Sequence, residues 1–380
     1  MTLNPGYVPI ALRTTPAYQY TRVTNQTADD GTGTGGTKPI TVASGGVPQP
    51  PGVDILTGGS ISEDLSFLLV LSGFGPDGAA GVESGWLRLN RLGGSSWANL
   101  RVGKFELDLP ASPHRGISLT YGYAAYAPIP GGLVPFDFGE NQVGLELSGA
   151  DDRSSLRYSV SLTSVNGGEV ASGAGGKGAW SAPMLYGHVQ KSYEPGSAIL
   201  PWVRVGILAG VGWWPTKFES ADTAGTPIDG TGSQNKQFSR VGAEVSGILG
   251  NPATPFLFTL AVIHGQDAAE LSAGGVKNSY NGGFLEVDWV PWVVSQYAAT
   301  PWAFFARYDA ARYKNGPGDV DGFTLGARRY LALGPRASAA VHLEFHQDKV
   351  KGVGWEDVAN GLPPRSVETQ AVLAGIDFDF

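Results

Sequence analysis

Hydrophobic and polar residues alternate along most of the chain. From residue 203 to residue 213, the odd positions carry Val, Ile, Ala and Trp, whereas the even positions carry mainly Gly and Arg. The same period of two recurs in residues 156–162, 241–245, 302–309 and 339–346. Because successive side chains of a β-strand point to opposite faces, this pattern predicts strands with one broad apolar face and one face of small and charged residues.

About sixteen segments show this alternation, and each is about as long as the 9–11 residues that a tilted strand needs to cross a membrane. Their centres lie near residues 17, 66, 87, 102, 120, 144, 159, 187, 207, 242, 260, 286, 306, 327, 343 and 374. The sequence therefore predicts an all-β protein.

The connections between these segments alternate in length. Short connections lie at residues 149–153, 193–197, 250–254 and 333–336, and long ones lie near residues 25–52, 127–140, 165–177, 215–236, 265–280 and 351–366. A membrane barrel has this asymmetry, with short turns on one rim and long external loops on the other. We therefore predict that residues 1–380 form one domain, a transmembrane antiparallel up-and-down β-barrel of about sixteen strands, with both termini on the rim of short turns.

The chain ends within such a strand. Val372, Ile376, Phe378 and Phe380 share one face of it, together with Ala374. Terminal residues of a soluble domain usually fray, so aromatic residues at the very end indicate an apolar surrounding. We expect this strand to close the sheet against the first strand and to turn its apolar face to outer-membrane lipid.

Composition narrows the choice of fold and partner. The chain has 42% hydrophobic and 16% charged residues, 56 Gly and a net charge of −8. An acidic chain lacks the clustered Lys and Arg that bind phosphates, so we expect no nucleic-acid partner. Cys is absent, which excludes disulfides, thiolate metal sites and covalent attachment of c-type haem. The longest apolar run covers residues 67–71, so no membrane helix is predicted.

The strands of a soluble β-sandwich or propeller would also alternate between apolar and polar residues, but the exposed face of such strands usually carries Lys, Glu and Thr. Here the polar face carries Gly, Ser, Arg, Asp and Glu, and aromatic residues cluster at segment ends, which is typical of the girdles at membrane interfaces. These aromatic residues include Trp213, Trp214, Trp289, Trp292 and Trp302. The N-terminus has no basic segment followed by an apolar stretch, so an exported form would have lost its signal peptide.

The terminal sequence IDFDF, residues 376–380, and the repeated amphipathic hairpins resemble a Gram-negative outer-membrane porin. This resemblance implies an outer-membrane location, periplasmic termini and recognition of the last strand by the outer-membrane assembly machinery. Val372, Ile376, Phe378 and Phe380 would form that assembly signal. Sixteen-strand porins are commonly trimers, so the resemblance leaves a homo-oligomer open.

A narrower resemblance links residues 100–110, 261–267, 282–292 and 304–310 to the porin components of porin-cytochrome electron conduits. It implies a second hypothesis, in which the barrel is a sheath around a multihaem c-type cytochrome partner. All haem would then belong to the partner, and this chain would need no cofactor.

The residues on the polar face of the predicted strands are candidates to line the pore, and they include both positive and negative charges. They are Arg157, Arg204, Arg240, Arg307 and Arg328, facing Glu146, Glu244, Glu286, Asp288, Asp309 and Glu344. As a set they predict a transverse field that sorts ions, whereas most individual residues are better explained as pairs that hold neighbouring strands together. His342 and His346 also face the lumen; they could present two imidazoles to a metal, but no third ligand is evident and no metal site is predicted.

No catalytic constellation is visible, because no Gly-x-Ser-x-Gly sequence lies beside any of the five histidines. We therefore expect no enzyme and no catalytic residue. The leading hypothesis is a passive pore for ions or small solutes, with residues 126–141 folded inward to narrow it. The cytochrome sheath is the alternative, and an adhesin or receptor acting through the loop at residues 25–52 is a third class.

Overall fold

The fold is a closed antiparallel β-barrel of sixteen strands, seen in a computed structural model. The structure describes residues 10–29, 37–47, 53–73, 81–114, 116–119, 122–130, 132, 134, 136–151, 155–165, 182–214, 216–218, 232–233, 235–250, 255–272, 275–291, 302–314, 318–333, 338–353 and 365–379. Each strand pairs with its neighbours in sequence, which is the up-and-down arrangement that the alternation predicted.

The first two strands are each interrupted once. Strand β1 comprises Ile10–Thr14 and Ala17–Asp29, and β2 comprises Thr37–Gly46 and Val53–Ser60. Both parts of β1 pair with β2 and with the last strand, so each pair of segments forms one barrel strand. Pro16 lies in the break of β1, where a residue without an N–H cannot continue the ladder.

The remaining strands follow in chain order. They are β3 (Leu65–Gly73), β4 (Gly81–Leu89), β5 (Asn99–Phe105), β6 (Gln142–Ala150), β7 (Leu156–Ser164), β8 (Pro183–Tyr193), β9 (Trp202–Trp214), β10 (Lys236–Leu249), β11 (Phe256–Asp267), β12 (Asn278–Trp289), β13 (Trp302–Lys314), β14 (Val320–Leu333), β15 (Ser338–Val353) and β16 (Arg365–Asp379). Strand β16 pairs with β1 and closes the barrel, as expected for the terminal strand.

The predicted number of strands is confirmed, but one predicted position was wrong and one strand was missed. No strand lies near residue 120, where the described residues belong to a long connection between β5 and β6. Conversely, the segment Thr37–Gly46 is part of β2, although residues 25–52 were expected to form an external loop. Its Gly, Pro and Thr content is typical of loops, and pairing with β1 outweighs that local preference.

Burial alternates along the strands in the predicted register. Ile207, Val262 and Leu343 are 66%, 54% and 59% exposed on the outer face, whereas their neighbours Leu208 and Glu344 are 2% and 1% exposed on the inner face. The outside of the barrel is therefore a broad apolar band, and the inside holds both the polar residues and a small core.

An aromatic row lies on the outer face where β11, β12 and β13 approach the rim that carries the termini. Phe256 stacks on Trp289, Trp289 on Phe304, and Phe304 on Trp302. This row matches the expected interfacial girdle. Trp214 does not belong to it, because its side chain is 5% exposed and packs in the inner core. Trp292 lies outside the described residues.

Within the described ranges, single-turn 3₁₀ helices lie at Leu92–Gly94 and Ala269–Leu271, and Lys217–Phe218 pairs with Gly232–Ser233. Among the residues placed here, no helix has the length and apolar character needed to cross a membrane.

Candidate functional site in the barrel lumen

The connection between β5 and β6, residues 106–141, runs through the inside of the barrel and is here called the lumen loop. It binds the wall at well-separated strands: Tyr186 Oη of β8 donates to Asp108 O at 2.5 Å, Tyr280 Oη of β12 donates to Ala125 O at 2.8 Å, and Leu119 N donates to Glu344 Oε2 of β15 at 2.8 Å. A segment can reach β8, β12 and β15 of a closed barrel in this way only from within the lumen.

Apolar packing explains why this loop turns inward. The loop residues Tyr123, Ala125, Tyr126, Ile129, Val134, Phe136 and Phe138 are each at most 3% exposed. Their rings meet wall aromatic residues, with centroids 4.1 Å apart for Tyr123 and Phe284 and 5.6 Å apart for Phe136 and Phe238. Burial of one such side chain contributes about 1.5–3 kcal/mol to the stability of the folded protein. The inward position predicted for residues 126–141 is therefore seen, and it replaces the external placement of residues 127–140.

A glycine of β12 allows the loop to lie flat on the wall. A Cβ at Gly282 would lie 2.9 Å from the Cα of Ala125. Real Cβ atoms do not approach this closely, so only glycine accepts the loop backbone at this position without a shift.

The start of the loop is held by a chain of charged groups on the four neighbouring strands β7–β10. The Asp108 carboxylate pairs with Arg157 and lies 3.5 Å from His188 Nδ1, and His188 Nε2 lies 3.4 Å from Glu244 Oε1. Arg204 Nε is 3.6 Å from the same Glu244 oxygen. Burial opposes ionisation of Asp108, but hydrogen bonding to His188 and the charge of Arg157 outweigh it and hold the pKa of this carboxyl below its usual value.

A second charged group on β12, β13 and β15 holds the middle of the loop. Tyr123 Oη donates to Glu286 at 2.9 Å, and the Arg307 guanidinium lies 4.6 Å from the centre of the Tyr123 ring. Arg307 Nε also bonds Asp309 at 2.7 Å, while Glu344 accepts hydrogen bonds from the loop. Burial and the nearby Glu286 charge raise the pKa of Tyr123, so its hydroxyl remains a donor.

The other predicted pore-lining residues lie on the same inner face but in separate groups. Arg240 is 2% exposed, pairs with Asp267 at 2.8 Å, and lies against aromatic rings rather than open space. Arg328 and His342 both bind Asp377, Glu146 pairs with Arg101 at 2.6 Å, and His346 contacts Asp348 at 2.5 Å. Asp288 shares the face of Glu286, and its Oδ1 is buried without a hydrogen-bond partner among the described residues.

Sequence reasoning missed several partners of these residues. Arg101, Asp108, His188, Asp267 and Asp377 complete the pairs, yet none was predicted. Asp377 and Arg101 could have been predicted, because both lie at polar positions of segments that alternate. Asp108 follows the end of β5, where no alternation of apolar and polar residues predicts the direction of its side chain. Across the described ranges, no three His, Cys, Asp or Glu side chains group so as to hold a metal ion.

The predicted assembly-signal residues lie on β16. Val372 and Ile376 are 43% and 38% exposed on the outer face, and Phe378 is paired with Ala339 of β15 and Thr14 of β1. Phe380 lies outside the described residues. The apolar face of this strand is therefore outward, and its role as an assembly signal stays a prediction.

The sequence matches no protein-family model and no curated protein. Solved structures match over nearly the whole chain. The anion-selective porin from Comamonas acidovorans has a TM-score of 0.56 at 11% identity and covers 98% of this chain and 100% of that chain. The outer-membrane channel DcaP of Acinetobacter baumannii has a TM-score of 0.53 at 9% identity, covering 99% of both chains.

Pseudomonas putida OprB has a TM-score of 0.52 at 10% identity and covers 97% of this chain and 94% of that chain. The narrower likeness to the porins of cytochrome conduits finds no support among these structures. This chain has the fold of outer-membrane porins, a closed antiparallel barrel of sixteen strands.

Proposed function

We propose that this chain is an outer-membrane pore for the passive passage of ions or small solutes. The observation that carries the proposal is the combination of an apolar outer band with a charged inner wall in a closed barrel of sixteen strands. Sixteen strands enclose more space than side chains alone can fill. A cavity of about 480 Å³ between the loop and β4–β7 is part of that space.

The outer band supports a membrane location. Large apolar side chains are exposed on strand after strand, and a soluble monomer rarely exposes apolar patches above a few hundred Å². Lipid would cover this band, and the aromatic row of β11–β13 would lie at one interface. Because the connections on the rim of the termini are mostly the shorter ones, we assign that rim to the periplasm.

The lumen loop favours a pore over a cytochrome sheath. A sheath needs a lumen free for another protein, whereas here the loop crosses the interior and is fixed to β8, β12 and β15. An enzyme is also disfavoured. His188, which lies between two carboxylates, has no exposed surface and contacts groups that hold the loop.

Swelling of liposomes that contain the refolded chain tests this proposal. In isosmotic sugar solutions, we expect swelling rates that fall as the sugar becomes larger, because the loop restricts the lumen. Liposomes made with heat-denatured chain are the control. Rates equal to that control for the smallest sugars would reject the pore.

A further inference from the structure

Five exposed cations lie at one height on the outer face of the barrel. Each is 10–13 residues from the end of its strand on the rim of the termini. At about 3.3 Å per residue and a strand tilt of about 40°, this places them about 25–33 Å above that rim. These residues, here called the outer cation belt, are Arg22 of β1, Arg312 and Lys314 of β13, and Lys349 and Lys351 of β15.

The belt carries an excess of positive charge. Among the described residues of β13–β16 and β1, two carboxylates share its face and height, Asp321 of β14 and Glu368 of β16. Lys277 and Asp319, just outside β12 and β14, add one charge of each sign. The positive charges therefore outnumber the negative ones by three, although the whole chain has a net charge of −8.

One carboxylate serves several of these cations. Asp321 pairs with Arg312, accepts a bond from Lys351 Nζ at 2.8 Å, and lies directly opposite Lys349 in the strand register. The side chains of Arg312 and Lys351 are still 43% and 47% exposed. They can therefore contact a further anion from outside the barrel.

The height of the belt indicates what lies beside it. The aromatic row of β11–β13 is within two residues of the rim of the termini and marks one membrane interface. The belt lies about 25–33 Å above that rim, close to the thickness of about 25–30 Å of the apolar part of a bilayer. Lipid headgroups of the external leaflet are therefore level with the belt, and phosphate is a headgroup anion that Arg and Lys bind well.

An apolar groove of about 630 Å³ lies just below the belt, on the outer face of β10–β13. Gly283 and Ala310, which are direct partners across β12 and β13, form its floor, and Leu285 is among the larger side chains on its lower side. His264 and Asn281, hydrogen bonded to each other at 2.9 Å, lie on its upper side. The groove thus has an apolar floor and a polar edge toward the belt.

We propose that this side of the barrel binds a phosphate-bearing lipid of the external leaflet. One acyl chain lies in the groove over Gly283 and Ala310. A phosphate of the headgroup accepts hydrogen bonds from Arg312, which is directly opposite Asn281 in the strand register, and from Lys314. The inference rests on the proposed membrane location and not on the passage of solutes.

Bisphosphorylated lipid A is a suitable probe because it combines phosphates with several acyl chains, and the same lipid after removal of its phosphates is the control. Titration of the detergent-solubilised barrel, followed by native mass spectrometry, measures bound lipid. We expect a saturable adduct with the phosphorylated lipid and about tenfold or more weaker binding of the control. Equal binding of both lipids, or no adduct with a folded barrel, would overturn the proposal.

Two variants test the phosphate contact. Arg312→Gln combined with Lys314→Gln should weaken binding of the phosphorylated lipid about tenfold or more. Lys314→Glu leaves the pair of Arg312 with Asp321 intact, so it provides the test if the double variant does not fold, and it should weaken binding several-fold. Affinity equal to wild type in these variants would refute the contact.

Two further variants locate the site on the barrel. Ala310→Leu fills the floor of the groove and should weaken binding of both lipids several-fold. Arg329→Gln is the matched control, because Arg329 is exposed on the outer face of β14 but lies four residues from the end of this strand at the opposite interface. It should leave binding unchanged. A loss with Arg329→Gln equal to that with Lys314→Glu would show unspecific attraction and reject the site.

Conductance separates this inference from the pore. Open channels without phosphate-dependent lipid binding would overturn the lipid site and leave the pore intact. Silent bilayers with a phosphate-dependent adduct that Lys314→Glu weakens would reject the pore and retain the lipid site.

Discussion

Most of the charged side chains inside this barrel bind an opposite charge, the lumen loop, or both. Glu286 and Glu344 accept hydrogen bonds from the loop, and Arg307 lies over the ring of Tyr123. Removal of one member of a buried pair leaves the other charge uncompensated and costs several kcal/mol. These residues therefore fix the position of the loop.

Asp137 of the lumen loop gives a test by pH. Burial raises the pKa of Asp137 to about 6, although Gly139 N donates a hydrogen bond to its carboxylate at 2.6 Å. In the unfolded chain the pKa is near 4, so the folded state favours the neutral acid. The folded protein should therefore lose about 2–3 kcal/mol of stability as pH rises from about 4 through 6.

Asp137→Asn should remove this loss. Relative to wild type, the variant is expected to gain about 2–3 kcal/mol in free energy of unfolding between pH 4 and pH 8, measured by chemical denaturation of the refolded barrel. Asp64→Asn, on the exposed turn between β2 and β3, serves as the control. A difference between Asp137→Asn and wild type that is the same at both pH values would show that this carboxyl is not held in its neutral form.

The alternation of apolar and polar residues predicts which face of a strand a residue occupies, but not which residues it contacts there. Arg240 was predicted to line the pore, and it does lie on the inner face. It is nonetheless 2% exposed, because Asp267, Phe238 and Tyr280 surround it. Its partner Asp267 is at the end of the neighbouring strand, and the pair forms only once β10 and β11 are in register. Register is a long-range property that a single sequence does not display.

The lumen loop is the element that turns a wide barrel into a restricted one. Its apolar residues would be out of place on an external loop, and inside the barrel they form a core with β8, β10 and β12. The wall meets the loop with small residues as well as rings, and at Gly282 the loop backbone lies so close that an added Cβ would be 2.9 Å from the Cα of Ala125. Loop and wall are therefore matched in shape.

Gly282→Ala tests this match. The added methyl group would overlap the backbone of Ala125, and we expect a loss of about 1–3 kcal/mol in stability, as is typical of overpacking. Gly210→Ala is the matched control, since a Cβ there would lie 3.6 Å from the Tyr186 ring, an ordinary contact. Equal denaturation midpoints for the two variants would show that the loop is not seated on β12.

Removal of the loop should enlarge the channel. Phe105 and Gln142 are direct partners across β5 and β6, so a short hairpin turn can replace residues 107–140 without a change in the wall. We expect larger single-channel conductance from this variant than from the intact chain, provided that its mobility on electrophoresis still shifts on heating. Unchanged conductance would show that another part of the protein limits the current.

Local patterns located most strands but not all of them. Residues near 120 alternate like a strand, yet in the folded protein Tyr123 and Ala125 of this stretch belong to the inner core. The segment Thr37–Gly46 has the composition of a loop and still pairs with β1. In both cases, contacts between residues distant in sequence decide the outcome over local propensity.

The molecule as a whole is apolar outside and charged inside, with strands of unequal length. Strand β15 has 16 residues, or about 50 Å at 3.3 Å per residue, whereas β5 has 7 and ends where the lumen loop leaves the wall. A hydrocarbon core of about 30 Å would leave the longer strands projecting beyond the membrane on the side away from the termini. Together with the outer band, this arrangement fits a bilayer on the outside and water on the inside.

Single-channel conductance of the refolded chain in a planar lipid bilayer tests this account most directly. The account predicts stable, uniform current steps from preparations whose electrophoretic mobility confirms a folded barrel. Silence from such a folded preparation would contradict it, because the lumen would then be closed to ions.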